Sequence, residues 1–174
     1  MISIRKYDPA NPADIKAITD IYAHHVLHGR ASFETEPPSL EDMRGRLDRL
    51  VADDYPVLVA DTDGAVRGYA YAGQHKARRG YRLTVEDSVY VHHLATRRGI
   101  GHALLKALIT AAREGGYHQM MAVIGDSANE PSIALHRAHG FRHVGTARNI
   151  GFKFGEFLDV VYMQRALNED HPTD

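Results

Sequence analysis

Ile2 and Ile4 alternate with polar residues at the start of the chain, the period of a half-buried strand. Asn11-Pro12 follows as an N-cap with proline in the first helical turn, and Ile15, Ile18, Tyr22 and Val26 recur every three or four positions. A helix is predicted there, stopped by Gly29. Pro37-Pro38 fixes the next loop, and Ser39-x-x-Asp42 forms a capping box for a second helix with Leu40, Met43, Leu47, Leu50 and Val51 as its apolar stripe. Tyr55 to Ala60 and Val66 to Gly73 read as antiparallel strands, joined by Asp61-Thr62-Asp63-Gly64, whose glycine supplies a positive φ. A basic loop, Lys76 to Arg82, leads to a strand over Thr84 to His93. Ala95 to Gly101 then opens a helix bearing Leu104, Leu105 and Leu108 and closed by Gly115-Gly116. Met120 to Gly125 reads as a strand, Asn129 to His139 as a short helix stopped by Gly140, and Phe141 to Phe152 and Phe157 to Leu167 as final strands. The order β-α-α-β-β-β-α-β-α-β-β predicts an α+β fold, a mixed and largely antiparallel sheet of about seven strands with helices on both faces.

Composition narrows the function classes. With 174 residues, 44% of them hydrophobic, the chain can bury one core, so a single domain is expected over residues 1–167 with a fraying polar tail over 168–174. Lys plus Arg number 21 against 22 Asp plus Glu, which leaves no global field for nucleic acid or an anionic membrane. MISIRKYDPA has no apolar leader core, and no apolar run approaches the roughly 20 residues that span a bilayer, so a cytosolic protein is expected. There is no cysteine, which excludes disulfides, thiolate metal sites and a thioester on the enzyme.

Chemistry concentrates at Arg97-Arg98-Gly99-Ile100-Gly101. Glycines let main-chain N–H groups approach an anion, and a helix N-terminus adds a favourable dipole; taken alone, the same residues also suit a tight turn. Neither G-x-x-x-x-G-K-[ST] nor the third glycine of G-x-G-x-x-G is present, which disfavours ATP and NAD. Twelve histidines invite a metal reading, but His24 and His28 lack a nearby acidic third ligand, and His92 and His93, adjacent on a strand, are expected to face opposite ways. No metal is expected.

With its neighbours, the glycine junction resembles motif A of the GNAT family of acetyl-CoA-dependent N-acetyltransferases, with Thr96 where the family usually has Gln or Arg. The run from Asn129 to Phe141 is similar to the family's motif B, with His136 where tyrosine is common. His75-Lys76-Ala77-Arg78, Thr84 to Val91 and Gly151-Phe152-Lys153-Phe154-Gly155 resemble the phosphinothricin acetyltransferase branch, which includes bacterial enzymes acting on methionine sulfone and methionine sulfoximine. The resemblance implies that Val89, Tyr90 and Val91 pair with the pantetheine amides. It also implies that Arg97, Arg98, Gly99, Ile100, Gly101 and His102 cradle the pyrophosphate, with Asn129 a further cofactor contact.

Acyl transfer to an amine needs a group to take the ammonium proton, an oxyanion donor and a proton for the leaving thiolate. Glu86 matches the branch's carboxylate and His136 its motif B histidine; both are catalytic candidates, with the base and acid roles undivided. Alternation places Glu86 and Asp87 on opposite faces. A main-chain N–H on the Val89 to Val91 strand is the expected oxyanion donor. Without cysteine, direct attack in a ternary complex is expected. Lys76, Arg78, Arg79, Gly80, Tyr81 and Arg82 form the expected binding loop for an acidic substrate, Arg pairing well with carboxylate, phosphinate or sulfonyl groups. Phe33, Phe152 and Lys153 are further substrate candidates, the last two across a homodimer interface as in relatives. The expected acceptor is therefore the α-amine of a small amino acid or analogue. A peptide N-terminus or polyamine is the enzymatic alternative, and a CoA-binding sensor without turnover the non-enzymatic one.

Overall fold

A computed structural model describes residues 1–168; the expected tail lies, beyond Asn168, outside the described residues. The strands are β1 (Ile2–Lys6), β2 (Val57–Thr62), β3 (Ala65–Gln74), β4 (Thr84–Val91), β5 (Gln119–Gly125), β6 (Arg142–Lys153) and β7 (Glu156–Ala166). The helices are α1 (Pro12–His28), α2 (Leu40–Ala52), α3 (Ile100–Glu114) and α4 (Glu130–Ala138). Single 3-10 turns occupy Arg79–Tyr81 and His93–Ala95. Among the described residues no helix is long and apolar enough to cross a membrane.

Local chemistry accounts for the element ends. The Asn11 side chain accepts from the Ala13 amide to start α1, and Ser39 and Asp42 bond reciprocally at the start of α2. The β2–β3 turn places Asp63 at φ 54° and Gly64 at φ 82°, the paired left-handed residues of a tight hairpin.

The seven strands form one sheet in the order β1-β2-β3-β4-β5-β7-β6, and among the described residues its sole parallel pair is β4 with β5. Alternation along β2 divides the core: Val57 and Val59 pack with Ile15, Ile18 and Leu47 beneath α1 and α2, while Leu58 and Ala60 pack with Leu104, Leu105 and Leu108 of α3.

Four sequence expectations need correction. Leu40 and Val51 are exposed, and Met43 and Leu47 carry the buried face of α2. The strand expected from Tyr55 begins at Val57, because the Tyr55 amide bonds Leu50 O and closes α2. The strand expected to reach His93 ends at Val91, since the His92 side chain caps the following 3-10 turn. His92 and His93 therefore do not face opposite ways: their rings stack at 4.5 Å, and His93 stacks on His24 at 3.9 Å.

Candidate active site

β4 and β5 begin side by side and then part. Their register runs from Thr84 opposite Gln119 to Asp87 opposite Ala122 and stops there, while β4 stays paired with β3 as far as Val91. The hydrogen bond from the His92 amide to Arg67 O sets the parity: even residues of β4 face β3, and odd ones face β5. Val89 and Val91 thus turn their main-chain groups into the gap, whereas Tyr90 turns its own to β3. His25 Nε2 donates to Val91 O at 2.9 Å. Burial pulls the His25 imidazole below its ordinary value, and the carbonyl partner requires a proton on Nε2. The gap opens a cleft of about 600 Å³ lined by Val89, Val91, Thr96, Asn129, Ser132 and Leu135.

The glycine junction lies beyond the end of β4. Gly99, the N-cap of α3, has φ 82° with open space where a Cβ would sit, so backbone conformation alone demands glycine. The first amide to bond within the helix is Ala103's, to Gly99 O, so those of Ile100, Gly101 and His102 have no intrahelical partner. Arg97, at φ 58°, and Arg98 are exposed, whereas the Ile100 side chain sits in the core. His102 and His139 approach through ring nitrogens at 3.2 Å. Asn129 caps α4 through the Ser132 amide and donates its own amide to Gly125 O at 3.1 Å, tying the end of β5 to α4.

Glu86 and His136 lie on opposite faces of the sheet. His136, on α4, is 4% exposed; its Nδ1 donates to Ser132 O at 2.7 Å, and its Nε2 meets Asp87 Oδ2 at 2.9 Å. Burial pulls the imidazole down, but the Asp87 hydrogen bond and charge, with the Ser132 carbonyl, outweigh it and leave the value raised. Asp87 lines a 60 Å³ cavity continuing the cleft, and its Oδ1 is buried without a hydrogen-bond partner among the described residues. The sequence reading missed Asp87: alternation separates it from Glu86 but does not say what lies across from it.

On the face of α1 and α2, Glu86 meets His75 Nδ1 at 3.1 Å. His75 precedes the basic loop and sits edge-on to Tyr81, over which Lys76 places its ammonium 5.1 Å from the ring centroid. Gly80 and Tyr81 are exposed with Lys76, Arg78, Arg79 and Arg82, and none of these four cations makes an ion pair among the described residues. Phe33 lies against Gly151 on β6. Phe152 is 60% exposed and packs edge-on to Phe157, whereas Lys153 is 3% exposed, its ammonium donating to Gly29 O at 2.9 Å and Ser32 O at 2.6 Å. Among the described residues no three His, Asp or Glu side chains converge on a metal position.

A gap between central parallel strands, leading to a glycine-capped helix N-terminus, suits a long donor that carries amides at one end and phosphates at the other. That class has a family. Residues 9–162 match the family described as acetyltransferase (GNAT) domain. The chain is 46% identical over 160 residues to a phosphinothricin N-acetyltransferase of Alcaligenes faecalis, covering 92% of this chain and 81% of that one. It is 40% identical over 165 residues to an L-methionine sulfoximine/L-methionine sulfone acetyltransferase of Salmonella typhimurium, covering 95% and 96%. The crystal structure of a GNAT phosphinothricin acetyltransferase from Sinorhizobium meliloti in complex with acetyl-CoA superposes with a TM-score of 0.92 at 43% identity, covering 99% and 94%. The chain belongs to the GNAT acetyltransferase family and is an acetyl-CoA-dependent N-acetyltransferase.

Proposed function

We propose that this enzyme acetylates the α-amine of a small amino acid or analogue of the phosphinothricin, methionine sulfoximine or methionine sulfone type. Direct attack takes place in a ternary complex within one GNAT domain spanning residues 1–167. One observation carries the acceptor assignment: Glu86 is joined through His75 to a loop whose four cations pair with no carboxylate among the described residues. A small acid answers both features, its amine near the carboxylate and its anionic group on the loop. The names of the relatives above point the same way.

The cleft fits the donor, which supplies an acetyl group activated as a thioester. Val89 and the Val91 amide offer main-chain groups to its amides; Tyr90 contributes through strand geometry. The amides of Ile100 to His102, with Arg97, Arg98 and Gly99, offer an anion site, and Asn129 holds the β5 wall. Glu86 takes the ammonium proton, directly or through one water. A main-chain N–H of the Val89 to Val91 segment stabilises negative charge developing on the carbonyl oxygen. Both His136 nitrogens are engaged, so His136 reaches the cleft through Asp87, and this pair returns a proton to the leaving sulfur through the small cavity. Phe33, Gly80, Tyr81 and Phe152 shape the acceptor pocket, Phe152 from a homodimer partner. The cytosol is the proposed compartment.

The test is thiol release from acetyl-CoA across methionine sulfone, methionine sulfoximine, phosphinothricin, other amino acids, spermidine and a short peptide. Saturable release with a small acid, and initial-rate lines that intersect, are the expected results. Release with peptide or spermidine alone overturns the acceptor, parallel lines overturn direct attack, and tight CoA binding without release makes the protein a sensor.

A further inference from the structure

Lys153 is a buried cation without an anionic partner in contact among the described residues, an arrangement that needs explanation because burial penalises charge. Burial pulls its ammonium below the ordinary lysine value, and Glu34 opposes that pull only in part. Its hydrogen bonds go to two carbonyls, Gly29 O and Ser32 O, at either end of the turn that leaves α1. That turn walls the active cleft: Gly29, Arg30 and Ala31 line its wide part, and Ala31 also faces the cavity beside Asp87 and His136.

The rest of the turn is held in the same direction. Arg30 pairs with Glu156 at the β6–β7 connection and with Asp126 at 3.6 Å, just past β5. The Phe33 ring occupies the space that a side chain at Gly151 would take, its ring atoms well inside the contact distance of an added Cβ. Gly125 lets Ala31 O and Arg30 O come within 3.0 Å of where its Cβ would stand. On the far side, Ser32 Oγ lies 3.0 Å from Tyr22 Oη, and that hydroxyl donates to Glu34, which Arg46 holds. Exposed ion pairs such as Arg30 with Glu156 contribute little, whereas charge-assisted hydrogen bonds from a buried ammonium are strong and fix both ends of the four-residue segment from Gly29 to Ser32, with Phe33 next in the chain.

We propose that Lys153 is a positioning residue: its buried ammonium clamps residues 29–33 onto β6, setting Phe33 and Ala31 as the acceptor-side wall of the cleft, and does not itself touch substrate. The proposal rests on the acceptor reading above in assigning that wall to the acceptor; the clamp itself is tested separately.

Lys153→Met keeps the aliphatic stem and removes the charge. It should raise KM for the acceptor about ten- to hundredfold, the size of one or two charge-assisted hydrogen bonds, and raise KM for acetyl-CoA by a clearly smaller factor, since Gly29 to Ala31 also border the donor's cleft. Simple destabilisation would reduce the active fraction and move neither KM. The chain has no tryptophan, so Phe33→Trp installs a single indole in the clamped turn, excited at the red edge where the nine tyrosines do not absorb. Acrylamide should quench this introduced indole several-fold more readily once Lys153→Met is added. Unchanged quenching overturns the clamp, and KM values that stay put or rise by the same factor overturn its acceptor role. Gly151→Ala, which displaces Phe33 without touching Lys153, should reproduce the acceptor KM shift. It decides the matter if Lys153→Met does not fold; an unchanged acceptor KM in Gly151→Ala then overturns the proposal. If the wild type acetylates none of the small acids, the acceptor reading falls while quenching in the Phe33→Trp background still reads the clamp.

Discussion

A buried hydrogen bond joins His136 of α4 to Asp87 of β4, which makes the protein's stability sensitive to pH in a definite direction. The folded value of His136 is raised above the ordinary 6.5, so its charged form contributes stability that is fully present below 6.5 and is lost as pH rises through the folded value. Between about pH 6 and about pH 8, the urea midpoint of the wild type should fall relative to that of Asp87→Asn. The difference between the two proteins cancels histidines such as His24, His25, His92 and His139, whose values are lowered mainly by burial. A difference that stays flat across that range would show that the pair does not hold the imidazolium. The partnership was hidden from sequence reading because 49 residues separate the two side chains and a strand's alternation names a face without naming a neighbour.

At the scale of elements, the α3 N-terminus offers a comparison between its two glycines. Gly99→Ala meets no atom but must adopt φ 82°, a strain of about 1–2 kcal/mol for an L residue. Gly101→Ala would have Leu135 at 3.4 Å in ordinary contact with no such strain. Urea denaturation should therefore show Gly99→Ala to be the less stable variant, and titration should show it to bind acetyl-CoA more weakly. Elements governed by neighbours in sequence were legible in advance: the Asn11 cap, the Ser39 box, the Asp63-Gly64 turn and the order of the helices and strands among the described residues. Those governed by what lies across the sheet were not. Leu40 and Val51 fit the helical stripe on paper but find no core to enter. Lys153, on a strand beside two exposed phenylalanines, carried no signal that its charge would be buried against carbonyls of a distant turn.

The whole molecule presents an apolar hairpin at one end. β6 is an edge strand, and Ile150, Phe152, Phe154 and Phe157 on or beside the β6–β7 connection are each more than half exposed. Such a cluster fits a two-fold interface between copies of the chain. Sedimentation velocity should find a dimer in the wild type and a monomer in Phe152→Asp; a wild-type monomer at tens of micromolar would refute the homodimer.

The parting of β4 from β5 has a consequence of another kind. Main-chain groups left unpaired along a strand ordinarily invite a second chain to add to the sheet, the first step of aggregation. Here the unpaired stretch is interior, at the bottom of a V whose walls are the sheet's own halves. A thin, flexible amide chain can enter it, while another protein's strand, flanked by a sheet of its own, is too broad. The protein thus keeps a row of peptide-like valences ready for a small molecule and withholds it from other proteins.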